Sequence, residues 1–391
     1  MGLYEEAKQL IKQNIREYGM YIALALIMII FSIATGGLFT SSRNISNLIN
    51  QTGYIAVLAV GMTLVLIIRH IDLSVGFVAG FLGAVAAILL TRFGLPVIIT
   101  IPIVLVFGVL IGLVIGFLVT KMSIPSFVVT LAGMMIFRGA LLLITEKTGT
   151  IIVPNRSFNA IGNGFIPDIV KLQGVHVLTL IIGILSIGLY IWSELNTRKK
   201  KIKYDFEVLS SKLFTVKLVF VSLIVGYITW ILAGYNGLSW TIVIVIAIVA
   251  LYHFITNETV LGRHIYAVGG NLEAAKLSGI NVNKITYIVF ASMSMLAALS
   301  GILYTARLQS ATTTAGTAFE LDAIAAAYVG GVSAAGGVGK VTGSIIGALV
   351  ISSLTNGMNL MGVGISYQYV IRGAVLVAAV IFDVKTRNNR K

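Results

Sequence analysis

The sequence predicts an all-α, polytopic membrane helix bundle of about 10–12 spans, some of them broken or re-entrant. Three observations predict it. The 391 residues are 58% hydrophobic and only 11% charged, where a soluble domain carries about 25% charged residues; mean hydropathy is +0.99. Such a chain cannot cover itself against water. Long apolar runs recur along it, most of them near the roughly 20 residues that cross a bilayer core. Finally, seventeen of the 28 Lys and Arg fall in four intervals: the N-terminus (Lys8, Lys12, Arg16), 198–217, 258–284 and the tail from Lys385. Basic residues gathered in selected loops follow the positive-inside pattern. The net charge of +14 therefore orients the protein in a lipid bilayer, and no nucleic-acid partner is expected. The chain has no Cys, which excludes disulfides, thiolate metal sites and Cys nucleophiles. Its four His are scattered, so no metal is expected, nor any cofactor, and no catalytic triad or nucleotide fold is visible.

Taken in order, Met1–Gly19 reads as a polar, amphipathic cytoplasmic helix. Apolar runs follow at 20–38, 54–68, 74–91, 96–120, 126–144, 177–192, 215–233, 239–256, 285–306, 320–335, 341–359 and 366–382. With the N-terminus inside, twelve crossings return the C-terminus inside and place all four basic intervals in the cytoplasm. Reading 54–91 as one span would turn the basic run 198–203 outward, so it is divided. Two runs, 54–68 and 320–335, are short for a span. Each precedes a break and a Gly/Ala-rich span, with Gly83-Ala84 and Gly347-Ala348 at matching places, so 54–91 and 320–359 read as a faint repeat. Paired interrupted segments are the best sequence pointer to a transport site. Residues 145–176 read as a polar outer loop and 193–214 as a basic cytoplasmic linker able to hold a surface helix. The whole of 1–391 reads as one transmembrane domain.

Inside the first break stands Arg69-His70-Ile71-Asp72-Leu73-Ser74-Val75-Gly76. An ionisable group at membrane depth is a functional hypothesis by default, and Asp72 and Ser74 are candidates for a translocation pathway. The other reading has Asp72 capping the helix from Ser74 and pairing with Arg69. Pro125 begins a span whose Ser126 and Thr130 share a face at i, i+4, with Arg138 further along. These three are also pathway candidates, although Ser and Thr in a span commonly bond their own i−4 carbonyl. Ala335 to Thr342 tempts a phosphate-loop reading, but that pattern needs Gly at 334 and Ser or Thr at 341. The chain has Ala334 and Val341, leaving a Gly-rich tight turn. Glu320 and Asp322 are read as helix caps, and Arg372 as pairing with an acid.

The longest polar interval of the second half is Glu258 to Lys284. Asn271 can cap a short helix there, Glu273 suits its first turn, and Gly279 and Asn281 can stop it in the left-handed conformation. It reads either as an ordinary loop helix or as a handle for a partner, with Glu273 and Lys276 exposed and Ala274 and Ala275 permitting close approach.

Ile71 to Gly76, Pro125 to Gly139 and Asn271 to Ile280 together resemble the permease subunits of ABC sugar importers of the ribose, xylose and galactose class. The likeness runs across most of the chain, and the extra spans around 193–214 are similar to the xylose-type branch. The resemblance implies partners: a cytoplasmic ABC ATPase, an extracytoplasmic sugar-binding protein and a second permease copy, forming a homodimer. It implies a non-catalytic subunit of the bacterial inner membrane that translocates a monosaccharide such as xylose, with ATP hydrolysed elsewhere. Asn271, Glu273, Ala274, Ala275, Lys276 and Gly279 would form the ATPase-coupling helix. The Leu-Pro that ends the longer signature of other ABC importers is missing here, which fits the sugar branch. Competing readings are a proton-coupled secondary transporter using Asp72, a passive channel or scaffold, and an ABC permease for a nucleoside or autoinducer-type sugar.

Overall fold

Each of the twelve apolar runs folds as a separate helix. The computed structural model describes residues 15–146, 149–172 and 174–388. In chain order, α1 (Ile15–Ala34), α2 (Ser42–Ile67), α3 (Val75–Thr91), α4 (Val97–Thr120) and α5 (Ser126–Thr145) come first. Then come β1 (Thr150–Ile152), α6 (Arg156–Asn163), β2 (Lys171–Leu172), β3 (Val175–His176), α7 (Val177–Lys203), α8 (Ser211–Ala233), α9 (Trp240–Glu258), α10 (Val260–Gly270) and α11 (Leu272–Leu277). The chain closes with α12 (Val282–Leu308), β4 (Ser310–Thr312), α13 (Phe319–Val329), α14 (Val341–Leu360) and α15 (Ile365–Asn388). Among the described residues nine helices are long and apolar enough to cross a membrane, and Gly19–Ala34 and Val75–Thr91 are shorter apolar helices. The proposed N-terminal amphipathic helix lies mostly outside the described residues.

Several boundaries differ from the sequence reading. The run at 54–68 is the second part of a 26-residue helix. The polar stretch before it stays helical because its side chains find partners: Asn44 and Asn356 exchange amide hydrogen bonds at 2.9 and 3.1 Å, and Ser239 Oγ donates to Asn50. Only α13 is truly short. Its 11 residues rise about 16 Å, half a bilayer core, before Gly330 and the left-handed Gly331 (φ 87°) stop it. The repeat is accordingly partial. The first half of the expected linker 193–214 continues α7, whose last two turns carry the basic run, and its last residues begin α8. The expected outer loop at 145–176 also holds structure: β1 pairs antiparallel with β4, and Asp168 accepts from the N–H groups of Val177 and Leu178 at 2.8 and 2.9 Å at the start of α7.

The centre is α12, packed along α4, α3 and α2, with α13 and α14 set against α2. Its contact with α4 runs through Gly108, Gly112 and Gly116, spaced by four on one face. A Cβ at Gly108 would stand 2.6 Å from the Ser294 carbonyl, one at Gly112 would strike the Phe290 carbonyl, and one at Gly116 would stand 3.0 Å from the Tyr287 ring. Without a hydrophobic drive between helices in lipid, such small-residue stripes let dispersion hold the backbones together. Burial grades outward: the most apolar window of α2 is 83% buried and that of α15 only 6%. At one end of the bundle the close of α2, helices α10 and α11, the turn 330–340 and Asp383 of α15 gather. The β1–β4 pair, α6 and Arg307 gather at the other.

Candidate functional site

Helix α11 has the local structure its sequence dictates. Asn271 sits outside helical space (φ −151°, ψ 106°) and its Oδ1 accepts from the Ala274 N–H at 3.0 Å. Gly279 adopts φ 79°. Around it Ile280 N–H donates to Ala275 O at 3.0 Å and Gly279 N–H to Lys276 O at 2.9 Å, the paired bonds of a Schellman stop. Asn281 does not share in that stop: its φ is −76° and its side chain instead caps α12 through Lys284 N–H at 3.0 Å. Glu273 and Lys276 pair at 3.1 Å with side chains 75% and 53% exposed. An ion pair that wet contributes about 0–1 kcal/mol, so it does little for the fold and exchanges partners readily. Ala274 faces outward while Ala275 is buried against the chain, so one of the two small residues is spent inside. Leu277, which the sequence reading passed over, is 90% exposed.

The first break is built differently from its sequence reading. Asp72 is fully buried. Its Oδ1 accepts from both the N–H (2.9 Å) and the Oγ (2.6 Å) of Ser74, while Oδ2 has no hydrogen-bond partner. Arg69 does not pair with Asp72; its guanidinium turns away and donates to the carbonyls of Gly269 and Gly270 at the end of α10, each at 2.6 Å. Ser126 and Thr130 do share one face, and that face meets the break. Ser126 Oγ is 3.1 Å from His70 Nδ1, and Thr130 Oγ1 donates to Ile71 O at 3.3 Å. Thr130 is wholly buried within the chain. Arg138, two turns along α5, stands apart from this group on an exposed face, its guanidinium 5.7 Å from the centre of the Phe77 ring.

The start of α3 meets the start of α13. A Cβ at Gly76 would stand 2.5 Å from the Gly316 carbonyl and would strike the Glu320 carboxylate, so the two broken segments touch where their helices begin. Glu320 and Asp322 are not caps: Ala318 takes the N-cap position without a side-chain bond. Asp322 instead pairs with Arg372 of α15 at 3.2 Å, which answers the expectation for Arg372. Beside this pair Tyr54, Tyr304 and Phe319 cluster with ring centroids 4.9–5.1 Å apart. Nothing in the sequence marks that group, because its members come from three helices.

Two broken segments that meet inside a multi-pass bundle, with a capped and exposed helix at one end, are the parts of a transport permease. Over residues 44–380 the chain matches the family described as branched-chain amino acid transport system / permease component, and it belongs to that family. It is 42% identical to the xylose transport system permease protein XylH of Haemophilus influenzae over 380 residues, 97% of this chain and 98% of that one. It is 38% identical to XylH of Escherichia coli K12 over 374 residues (96% and 93%), and 36% identical to the ribose import permease protein RbsC of H. influenzae over 372 residues (94% and 93%). No solved structure matches it.

Proposed function

We propose that this chain, as a single transmembrane permease domain, is the translocation subunit of an ATP-driven ABC importer that carries a monosaccharide, xylose, across the bacterial inner membrane. The observation that carries the reading is α11: a rigidly capped helix whose surface offers Glu273, Ala274, Lys276 and Leu277, located where the ends of both broken segments gather. It docks a cytoplasmic ATPase subunit, which hydrolyses ATP, and the permease performs no chemistry of its own. On that assignment both termini are cytoplasmic. A sugar-binding protein delivers substrate at the β1–β4 end, and a second copy completes the path. Asp72, Ser74, Ser126, Thr130 and Arg138 are the pathway candidates. Arg138 reaches that path from an exposed face, while Asp72, Ser74 and Thr130 lie behind it and shape the break. The higher identity to XylH of H. influenzae, 42% against 36% for RbsC of the same organism, supports xylose over ribose as cargo.

Co-purification tests the docking. The ATPase should accompany the wild-type chain and be lost from Glu273→Arg, whose charge reversal lies on an exposed side chain and should leave the thermal transition unchanged. Equal retention by both would place the contact elsewhere. Uptake by the assembled system should favour xylose over ribose.

A second reading, proton-coupled transport, has one observation in its favour, the unpartnered Oδ2 of buried Asp72. Collapse of uptake by an uncoupler while ATP is maintained would select it.

A further inference from the structure

We propose that Arg69 is the positioning residue that transmits displacement of α11 to the broken segment holding Asp72. The proposal rests on the reading of α11 as the ATPase-docking helix. Arg69 and Gly270 are far apart in sequence, and nothing in the composition or motifs of either stretch joins them.

The geometry points to this role in three ways. First, the guanidinium uses two nitrogens, Nε and Nη2, on two consecutive carbonyls, Gly269 and Gly270, each at 2.6 Å. Those are terminal carbonyls of α10, the negative end of its dipole, where a cation is favoured. The next residue is Asn271, the cap of α11. A planar guanidinium spans two adjacent acceptors at once, and a lysine ammonium lacks that rigid fork. Second, Arg69 holds a left-handed backbone (φ 64°), a conformation that costs free energy in a non-glycine residue and persists where the surroundings fix it. Here they do. Its N–H donates to Leu66 O at 3.0 Å, Gly337 donates to Ile67 O at 2.9 Å, and Gly336 lies against its side chain. Third, the residues directly after Arg69 carry the contacts to α5: His70 with Ser126, Ile71 with Thr130, then Asp72 with Ser74 at the start of α3. Besides the close backbone packing of Gly269 on Ile67, a displacement of α11 therefore has a hydrogen-bonded route to the break through this side chain, three residues before Asp72.

The chain has no cysteine, so a single reporter can be placed cleanly. Ile71→Cys replaces an exposed side chain and keeps the carbonyl that Thr130 uses. In proteoliposomes containing the complete transporter, maleimide labelling of this cysteine should change at least threefold between the nucleotide-free and ATP-trapped states. Adding Arg69→Gly removes the fork while accepting the positive φ. We expect the ATPase to co-purify as in wild type and to hydrolyse ATP, the labelling change to vanish, and uptake per ATP hydrolysed to fall at least tenfold. Arg69→Lys should fall between, near threefold. Unchanged uptake per ATP in Arg69→Gly overturns the proposal. So does loss of the ATPase from Arg69→Gly, because Arg69 would then merely support the docking surface. Should Arg69→Gly fail to fold, Arg69→Lys decides, and wild-type coupling in it overturns the proposal. Failure of the docking assignment itself appears separately, as retention of the ATPase by Glu273→Arg.

Discussion

Gly337 donates its backbone N–H to the carbonyl of Ile67 at 2.9 Å, so the turn after α13 and the end of α2 are one hydrogen-bonded unit. The contact exists only because residue 337 has no side chain. Its φ is 71°, and a Cβ would stand 2.8 Å from Gly270 Cα. Gly337→Ala should therefore cost about 1–3 kcal/mol from backbone strain and weaken the join between breaks. The expected outcome is a lowered thermal transition in detergent together with reduced uptake. A wild-type transition would show that the turn can open without consequence.

The Asp322–Arg372 pair is the second test. Its side chains are 15% and 24% exposed, so either charge left alone is poorly solvated. Asp322→Asn or Arg372→Gln should each destabilise by about 2 kcal/mol, below the roughly 3–5 kcal/mol of a fully buried pair broken on one side. The double variant should regain part of that loss. A double-mutant cycle on thermal stability measures the coupling, and strict additivity would deny that the pair interacts.

The α4–α12 seam makes a steric prediction. Gly112→Val places its Cβ against the Phe290 carbonyl, a backbone atom that cannot rotate away. Overpacking of this kind costs about 1–3 kcal/mol. Gly139 of α5, with nothing within 4 Å of an added Cβ, is the matched control. Gly112→Val should express poorly or melt early, and Gly139→Val should stay close to wild type.

Outside the membrane-spanning helices, Asp168 carries a pH dependence. Burial pushes its carboxyl up, but N–H donors of Leu178, Val177 and Ile169 and the nearby His176 outweigh that and hold it below the ordinary value of 3.8. A depressed folded value means the group stabilises the fold fully above pH 3.8 and loses that contribution as pH falls through the folded value. The difference in melting temperature between wild type and Asp168→Asn should thus be constant near neutrality and shrink only below about pH 4. A gap that instead opened on acidification would reverse the assignment.

The legible part of this protein was whatever is local. Hydropathy placed the helix in each of the twelve apolar runs, since each must satisfy its own backbone in a membrane. The α11 cap and stop were readable because Asn271 and Gly279 act on neighbours within a few residues. Family membership, too, was carried by short motifs in order.

What only the tertiary structure decided was how partners far apart in the chain satisfy polar groups. The helix α2 runs past its apolar stretch because Asn44 and Asn50 are met by Asn356 and Ser239. Arg69 leaves its near neighbour Asp72 because two helix-end carbonyls offer a better fork, and Asp322 serves Arg372 rather than its own helix. Each choice compares a local bond with one made across the bundle, and sequence displays only the local side of that comparison. Burial raises the cost of leaving any of these groups unpaired, and the packed bundle settled which partner each one took.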